Sequence, residues 1–271
     1  MLEELVNNTD FLRHLEELRH RVIRILYYFI FFFVFFLDFR FNFLTLGGIP
    51  VPYPYPNFFD NSGSQVLRLL ESHVLPANAV LINVKPTDSI VADFYVCMFL
   101  SLIFSMPAIA YHMWRFIAPG LKPSETMTIR YIVVPATFLF LLGSFMGLWI
   151  VAPELFRIFN DFSIGLGALD SMTPLSFVSF LLIYTLAFGL SFEVPVFMVA
   201  LTRFGMVTSD YWYRNWRYAV VASLVFGMIF SPGVTGFTMV VMAAPMIALY
   251  FAGIYFARRT ERNVSPIPAA E

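Results

Sequence analysis

The chain has 271 residues, 59% of them apolar and only 13% charged, with a net charge of −1. So little polar surface cannot coat a water-soluble domain, and the composition indicates a membrane protein. The near-zero charge excludes a basic nucleic-acid-binding surface, and the lone cysteine, Cys97, excludes an internal disulfide.

The opening stretch "DFLRHLEELRHRVIR" is charged throughout and runs into the first apolar segment without a small-residue cleavage pattern, unlike a secretory signal. Glu3, Glu4, Asp10, Glu16 and Glu17 also set it apart from acid-poor transit peptides, so a mature cytosolic N-terminus is expected. Residues 1–21 read as an amphipathic helix capped by Asp10, with Phe11, Leu15, Leu18, Val22 and Ile25 on its apolar face. That helix is expected to lie along the membrane before turning in, with Glu17 and Arg21 forming an i,i+4 pair on its polar side.

Four apolar runs approach the ~20 residues needed to cross ~30 Å of hydrocarbon: 22–44, 90–114, 131–151 and 175–201. Asp38 and Arg40 interrupt the first, whose end should be interfacial. From Tyr218 to Ala257 there is no charge, and "SPGVTG" supplies turn chemistry, giving a hairpin of two short spans, 218–231 and 237–257. The long loop between Asp38 and Asp88 (45–89 between the spans) contains "IPVPYPYP", expected as polyproline-like backbone, and "SQVLRLLESHVL", expected as a short amphipathic helix.

Six spans place both termini on one side of the membrane. Of the 17 basic residues, only Arg40, Arg68, Lys85 and Arg157 fall on the other, so the termini are expected to be cytoplasmic and the long loop outside.

Motifs for catalysis are missing: there is no phosphate-binding glycine loop, no His-Glu-x-x-His and no Gly-x-Ser-x-Gly. The four histidines, His14, His20, His73 and His112, lie in three separate regions, so no metal site, no cofactor and no enzymatic activity is expected. Two acids stand at membrane level on the cytoplasmic side, Glu17 and, after "YHMWRFIAPGLKPS", Glu125. They are suited to paired guanidinium groups, which take carboxylates bidentately.

Glu193 is the only charge between Leu175 and Leu201. Ten residues, about 15 Å of helix, separate it from Arg203, which puts it near mid-bilayer, where a carboxylate costs ~2.5–3.5 kcal/mol on insertion scales. Pro195 lacks an N–H and frees the carbonyl of Ser191, so that this carbonyl and the Ser191 hydroxyl are expected to form a polar patch beside the acid. An acid in this position also suits a proton-coupled small-solute transporter. A relay needs successive ionisable stations, however, and Asp93 is the only other candidate, the third, fifth and sixth spans offering none.

"HLEELRHRV" (14–22), "WRFIAPGLKPSE" (114–125) and "SFEVPV" (191–196) occur in the order and topological positions of the TatC family, the multispanning receptor subunit of the twin-arginine protein translocase, which the whole chain resembles; "AAPMIALY" in the last span is similar too. The resemblance implies an all-α concave bundle of six transmembrane helices in a cell (cytoplasmic or inner) membrane. It implies binding of twin-arginine signal peptides on folded precursors, assembly with single-span TatA/TatB-type partners, a homo-oligomer within a larger complex, and transport driven by the proton-motive force. By the same resemblance Glu17, Arg19 and Glu125 bind the signal peptide. Glu193 matches the acid buried in the family's fourth helix and, with Ser191, Pro195 and Thr238, is expected to form the buried polar contact for a partner helix. The chain departs from the family in four places: Val234 stands where an acid is frequent, no basic residue directly follows Glu125, Thr238 stands where some members carry glutamine, and the first outside loop is long and proline-rich.

Overall fold

The structure, a computed structural model, describes residues 2–46, 49–117, 126–168, 171–230 and 236–263, with side chains over 15–44, 51–116, 132–168, 171–230, 236, 239–240 and 242–262. Helix α1 (Leu2–Asp38) is one continuous helix of 37 residues. The expected turn between an N-terminal helix and the first span is therefore absent, and Asp10 lies inside the helix instead of capping it. No glycine or proline occurs between Leu2 and Asp38, so nothing interrupts the backbone ladder.

The first span ends at Asp38 and not at Leu44. Strands β1 (Phe39–Leu46) and β2 (Ile49–Pro56) follow as an antiparallel ribbon, with Phe41 opposite Pro54 and Tyr53 opposite Asn42. This corrects the polyproline-like expectation for "IPVPYPYP". Pro50, Pro52, Pro54 and Pro56 alternate with residues that keep an N–H, so every second position can still donate to β1 while the prolines face away. Helix α2 (Ser62–Val74) matches the expected amphipathic helix. Its cap is Asn61, whose side-chain oxygen accepts from the backbone N–H of Ser64 at 2.9 Å.

A two-residue parallel bridge joins β3 (Val80–Leu81) to β4 (Ser171–Met172). The remaining helices are α3 (Asp88–Ile117), α4 (Thr126–Met146), a π-helical turn (Gly147–Val151), α5 (Ala152–Gly165), α6 (Pro174–Phe192), α7 (Val194–Arg203), α8 (Ser209–Arg214), α9 (Trp216–Phe230) and α10 (Gly236–Asn263). The third apolar run thus continues beyond the expected Val151 as far as Gly165, and the fourth is divided at Glu193. Among the described residues four stretches are long and apolar enough to cross a bilayer: Leu15–Asp38, Asp88–Phe116, Ile132–Gly165 and Pro174–Arg203. The apolar α9, of 15 residues, is shorter, as expected for the hairpin, whereas α10, also expected to be short, runs 28 residues to Asn263, because its apolar part continues without a break into the charged turn Arg258–Arg262.

Packing divides the chain into two compact units, Met1–Val133 with Ala152–Ile183, and Val134–Val151 with Tyr184–Glu271. In the first, α1 lies along α3, and the buried Phe36 meets Phe104 at a ring separation of 4.9 Å. Phe156 of α5 sits 5.3 Å from Phe177 and 5.2 Å from Phe180. In the second, glycines allow helices to touch: a Cβ on Gly227 would lie 2.4 Å from the carbonyl oxygen of Met239, and one on Gly253 would lie 2.5 Å from Met198 Sδ. Lipid is as apolar as these side chains, so close van der Waals contact at small residues, more than exclusion from water, holds such helices together.

Candidate functional sites

Glu17 and Arg19 both lie on exposed parts of α1, where its polar residues cluster. Glu17 Oε1 accepts a 3.1 Å hydrogen bond from Arg21 Nε and a second from Arg21 Nη2, the i,i+4 pair expected from the spacing. The Arg21 side chain is 13% exposed and that of Glu17 45%, so the guanidinium is held against the protein while the carboxylate looks outward. One residue before Glu17, the carbonyl of Glu16 accepts from His20 Nδ1–H at 2.8 Å. Further along the same contact, Tyr28 of α1 lies 6.5 Å from the ring of buried His112 on α3. Glu125, expected beside Glu17, lies outside the described residues, as does the side chain of Thr238.

Glu193 stands at a break: α6 stops at Phe192 and α7 begins at Val194, with Glu193 itself at φ −72°, ψ −19°. Its N–H donates to the carbonyl of Leu190 at 3.1 Å, and its carbonyl accepts from Phe197 N–H at 3.0 Å. Pro195 explains the interruption, because a residue without an N–H near the start of α7 is tolerated in a first turn but not in the middle of a helix.

The side chain is half-buried, and its Oε1 is buried with no hydrogen-bond partner among the described residues. The Ser191 hydroxyl does not complete the expected patch. It donates to the carbonyl of Ala187 at 2.5 Å, one turn earlier on its own helix. That correction has a simple cause, since a serine in an apolar helix finds the i−4 carbonyl nearer than any neighbouring side chain.

Two glycines that sequence reading passed over set the walls around this break. A Cβ on Gly143 of α4 would meet Phe192 Cγ and the Phe188 carbonyl oxygen, each at 2.7 Å. On α10, a Cβ on Gly253 would come within 3.2 Å of Pro195 Cα. Small residues inside long apolar runs were the available signal. Ser144 Oγ and Thr137 Oγ1 on α4 are also buried without a partner among the described residues, so the second unit holds three orphaned polar atoms on α4 and at the α6/α7 break.

At the end of the second unit, α8 is fastened to α10. Glu261 accepts from Ser209 N–H at 3.0 Å, Tyr250 Oη donates to the Trp212 carbonyl at 2.9 Å, and Arg258 stacks over Tyr213 at 4.4 Å. Among the described residues no group of His, Cys, Asp or Glu has metal-binding geometry.

The profile of the family described as "Sec-independent protein translocase protein (TatC)" matches residues 13–245. The chain is 34% identical over 258 residues to the Sec-independent protein translocase protein TatC of Cenarchaeum symbiosum, covering 95% of this chain and 98% of that one. It is 26% identical over 246 residues to the TatC protein of Deinococcus radiodurans, covering 90% and 84%. A crystal structure of the twin arginine translocase receptor TatC superposes with a TM-score of 0.69 at 26% identity, over 91% of this chain and 99% of that one. A crystal structure of the twin arginine translocase receptor TatC in DDM gives 0.72 at 25% identity, over 90% and 99%. A match over most of the chain in sequence and in fold, with the acids of the "LEELR" and "FEVP" stretches at an exposed helix face and a helix break, shows that this chain belongs to the TatC family of Sec-independent protein translocase proteins.

Proposed function

We propose that the chain is the non-catalytic receptor of a twin-arginine translocase, binding the paired arginines of signal peptides on folded precursors at the cytoplasmic face through Glu17, Arg19 and Glu125. The observation that carries this reading is the outward-looking Glu17 carboxylate, already holding a guanidinium, that of Arg21. An incoming arginine can exchange for or join Arg21 on the same oxygens without rebuilding the helix, and charge-assisted hydrogen bonds of this kind contribute ~1.5–3 kcal/mol each.

In this reading the membrane is crossed six times by a concave bundle with both termini cytoplasmic, supported by 13 of the 17 basic residues falling on that side. Partner subunits of the single-span TatA/TatB type assemble on the bundle. Glu193 is their polar contact, because its orphaned Oε1 can be completed by a donor from an incoming helix. The work of transport comes from the proton-motive force, the chain carrying no nucleotide-binding motif.

The test is site-specific crosslinking to a twin-arginine signal peptide in membranes. Glu17→Ala and Glu125→Ala are each expected to lower the yield about tenfold or more, in line with one charged hydrogen bond, and Glu17→Lys further still. An unchanged yield in the double variant would remove the site assignment while leaving the fold intact.

A further inference from the structure

The ribbon that follows α1 has an unusual surface for a segment outside the hydrocarbon core. No residue from Phe41 to Phe59 is charged. Cross-strand partners share a face, so Phe39, Phe41 and Phe43 stand with Pro56, Pro54 and Pro52 on one side, and Asn42 and Leu44 stand with Tyr53 and Val51 on the other. Phe43 is 69% exposed and Phe59, just beyond the ribbon, 92%. A flat apolar ribbon of this kind in water is a site for aggregation.

The backbone edges tell where it belongs. With proline at every second position of β2, the residues that exchange hydrogen bonds with β1 are Val51, Tyr53 and Tyr55, and the outward edge at the prolines has no N–H to satisfy. On the outward edge of β1, Gln65 of α2 takes the place of a strand: its Oε1 accepts from Phe41 N–H and its Nε2 donates to the Phe41 carbonyl, both at 3.0 Å. Ser62 Oγ donates to the Phe39 carbonyl at 2.6 Å. Backbone donors left bare are what keep sheet edges out of lipid; here the β2 edge presents prolines and the Phe41 N–H of β1 is engaged by Gln65.

The base of the ribbon is fixed to the end of the spanning helix. Asn57 N–H donates to the Asp38 carbonyl at 2.8 Å, and the Phe35 ring of α1 stacks on Phe39 at 5.1 Å, so the apolar surface of α1 continues onto the ribbon without a gap. Arg40 is drawn off to Asp60, which also accepts from Arg68.

We infer that the β1–β2 ribbon and the adjoining Phe58–Phe59 pair lie in the headgroup–acyl boundary of the leaflet where α1 ends, as an interfacial anchor whose ligand is the lipid surface. The inference rests on α1 crossing the bilayer. Amphipathic aromatics such as Tyr53 and Tyr55 are at home at that depth.

Spin labels on single cysteines in the full-length chain, reconstituted in phosphatidylcholine–phosphatidylglycerol vesicles, test this by comparing collisions with oxygen and with a water-soluble nickel chelate. The native chain, whose Cys97 is buried, is the labelling blank. Labels at F43C and F59C are expected to show an oxygen-to-nickel collision ratio several-fold above that of N83C and below that of F31C on α1, as an interfacial depth requires. Nickel access at 43 and 59 equal to that at 83 would place the ribbon in water and overturn the inference. Low access to both reagents would mean that a protein surface covers the ribbon, and would overturn it equally. If F31C itself collides with nickel, the spanning assignment of α1 falls, and the anchor with it.

Discussion

Asp93 and Glu193 are both carboxylates on apolar helices, one in each unit, and their surroundings are opposite. Asp93 Oδ2 accepts from Asn61 Nδ2 at 2.6 Å and Oδ1 accepts from Ser64 Oγ at 3.0 Å, so that α2 is pinned to α3 by an acid whose two oxygens are both used. Asn61 is fully buried, and its remaining oxygen caps α2. A Cβ on Gly63 would lie 2.5 Å from Cys97 Sγ, so the two helices meet at backbone distance beside the clip. Glu193 keeps one oxygen buried and unpartnered among the described residues. A satisfied buried network holds a fold together, whereas an unsatisfied group is a cost that persists where another use requires it.

Removing each group in turn breaks or sharpens that contrast. Asp93→Ala strands the buried Asn61 amide and the Ser64 hydroxyl, and is expected to destabilise the first unit by about 3 kcal/mol or more, read as a lowered thermal midpoint in detergent. Asp93→Asn should recover part of the loss, and a midpoint unchanged in Asp93→Ala would mean that the clip holds nothing. Ser64→Ala removes one of the two bonds and should cost about 1–2 kcal/mol in the same assay.

A smaller effect belongs to Asp60. The hydrogen bond from Arg68, opposed by partial burial and aided by the charges of Arg68 and Arg40, holds its carboxyl below the ordinary carboxylate range. A carboxyl with a depressed folded-state pKa adds stability that is complete above its unfolded value and lost as pH falls through the folded one. The ion pairs of Asp60 should therefore persist at neutral pH and fade below about pH 4. The pair with Arg68 is exposed and the pair with Arg40 only half-buried, so Asp60→Asn should shift the midpoint at pH 7 by about 1 kcal/mol and abolish that part of the acid dependence.

The smallest effects on stability are expected at the orphaned atoms. Ser144→Ala should stay within about 0.5 kcal/mol of the native chain, since the hydroxyl makes no hydrogen bond among the described residues. Glu193→Ala should likewise leave the midpoint nearly unchanged while lowering both transport of a twin-arginine precursor and crosslinking to a single-span partner. Glu193→Gln, which keeps a neutral hydrogen-bonding group, should retain more of both. A Glu193→Ala chain that transports normally, or that fails only by unfolding, would make this acid structural, and the contrast with Asp93 would vanish.

Several features were legible in the chain itself. Long uncharged runs fix that helices cross a membrane, because a backbone in lipid has to satisfy its own hydrogen bonds. The absence of proline and glycine before Asp38 was enough to make α1 unbroken, although the amphipathic start suggested a separate helix. Pro195 two residues after Glu193 marked the place where the fourth run divides. Glu17 and Arg21 pair as their spacing requires, since i,i+4 neighbours on a helix are local.

Other features needed the tertiary structure, because they join residues far apart in sequence through contacts no local pattern encodes. Asn61 finds Asp93 across 32 positions, and Gln65 finds the backbone of Phe41 across 24, turning what read as extended proline-rich loop into a paired ribbon. Gly143 and Gly253 become walls of the Glu193 break only once α4 and α10 pack against it, since a missing side chain carries meaning only through what fills its place. The Ser191 hydroxyl turned to its own helix for the same physical reason in reverse: the nearest acceptor was local, and the acid beside it kept an oxygen for something else to complete.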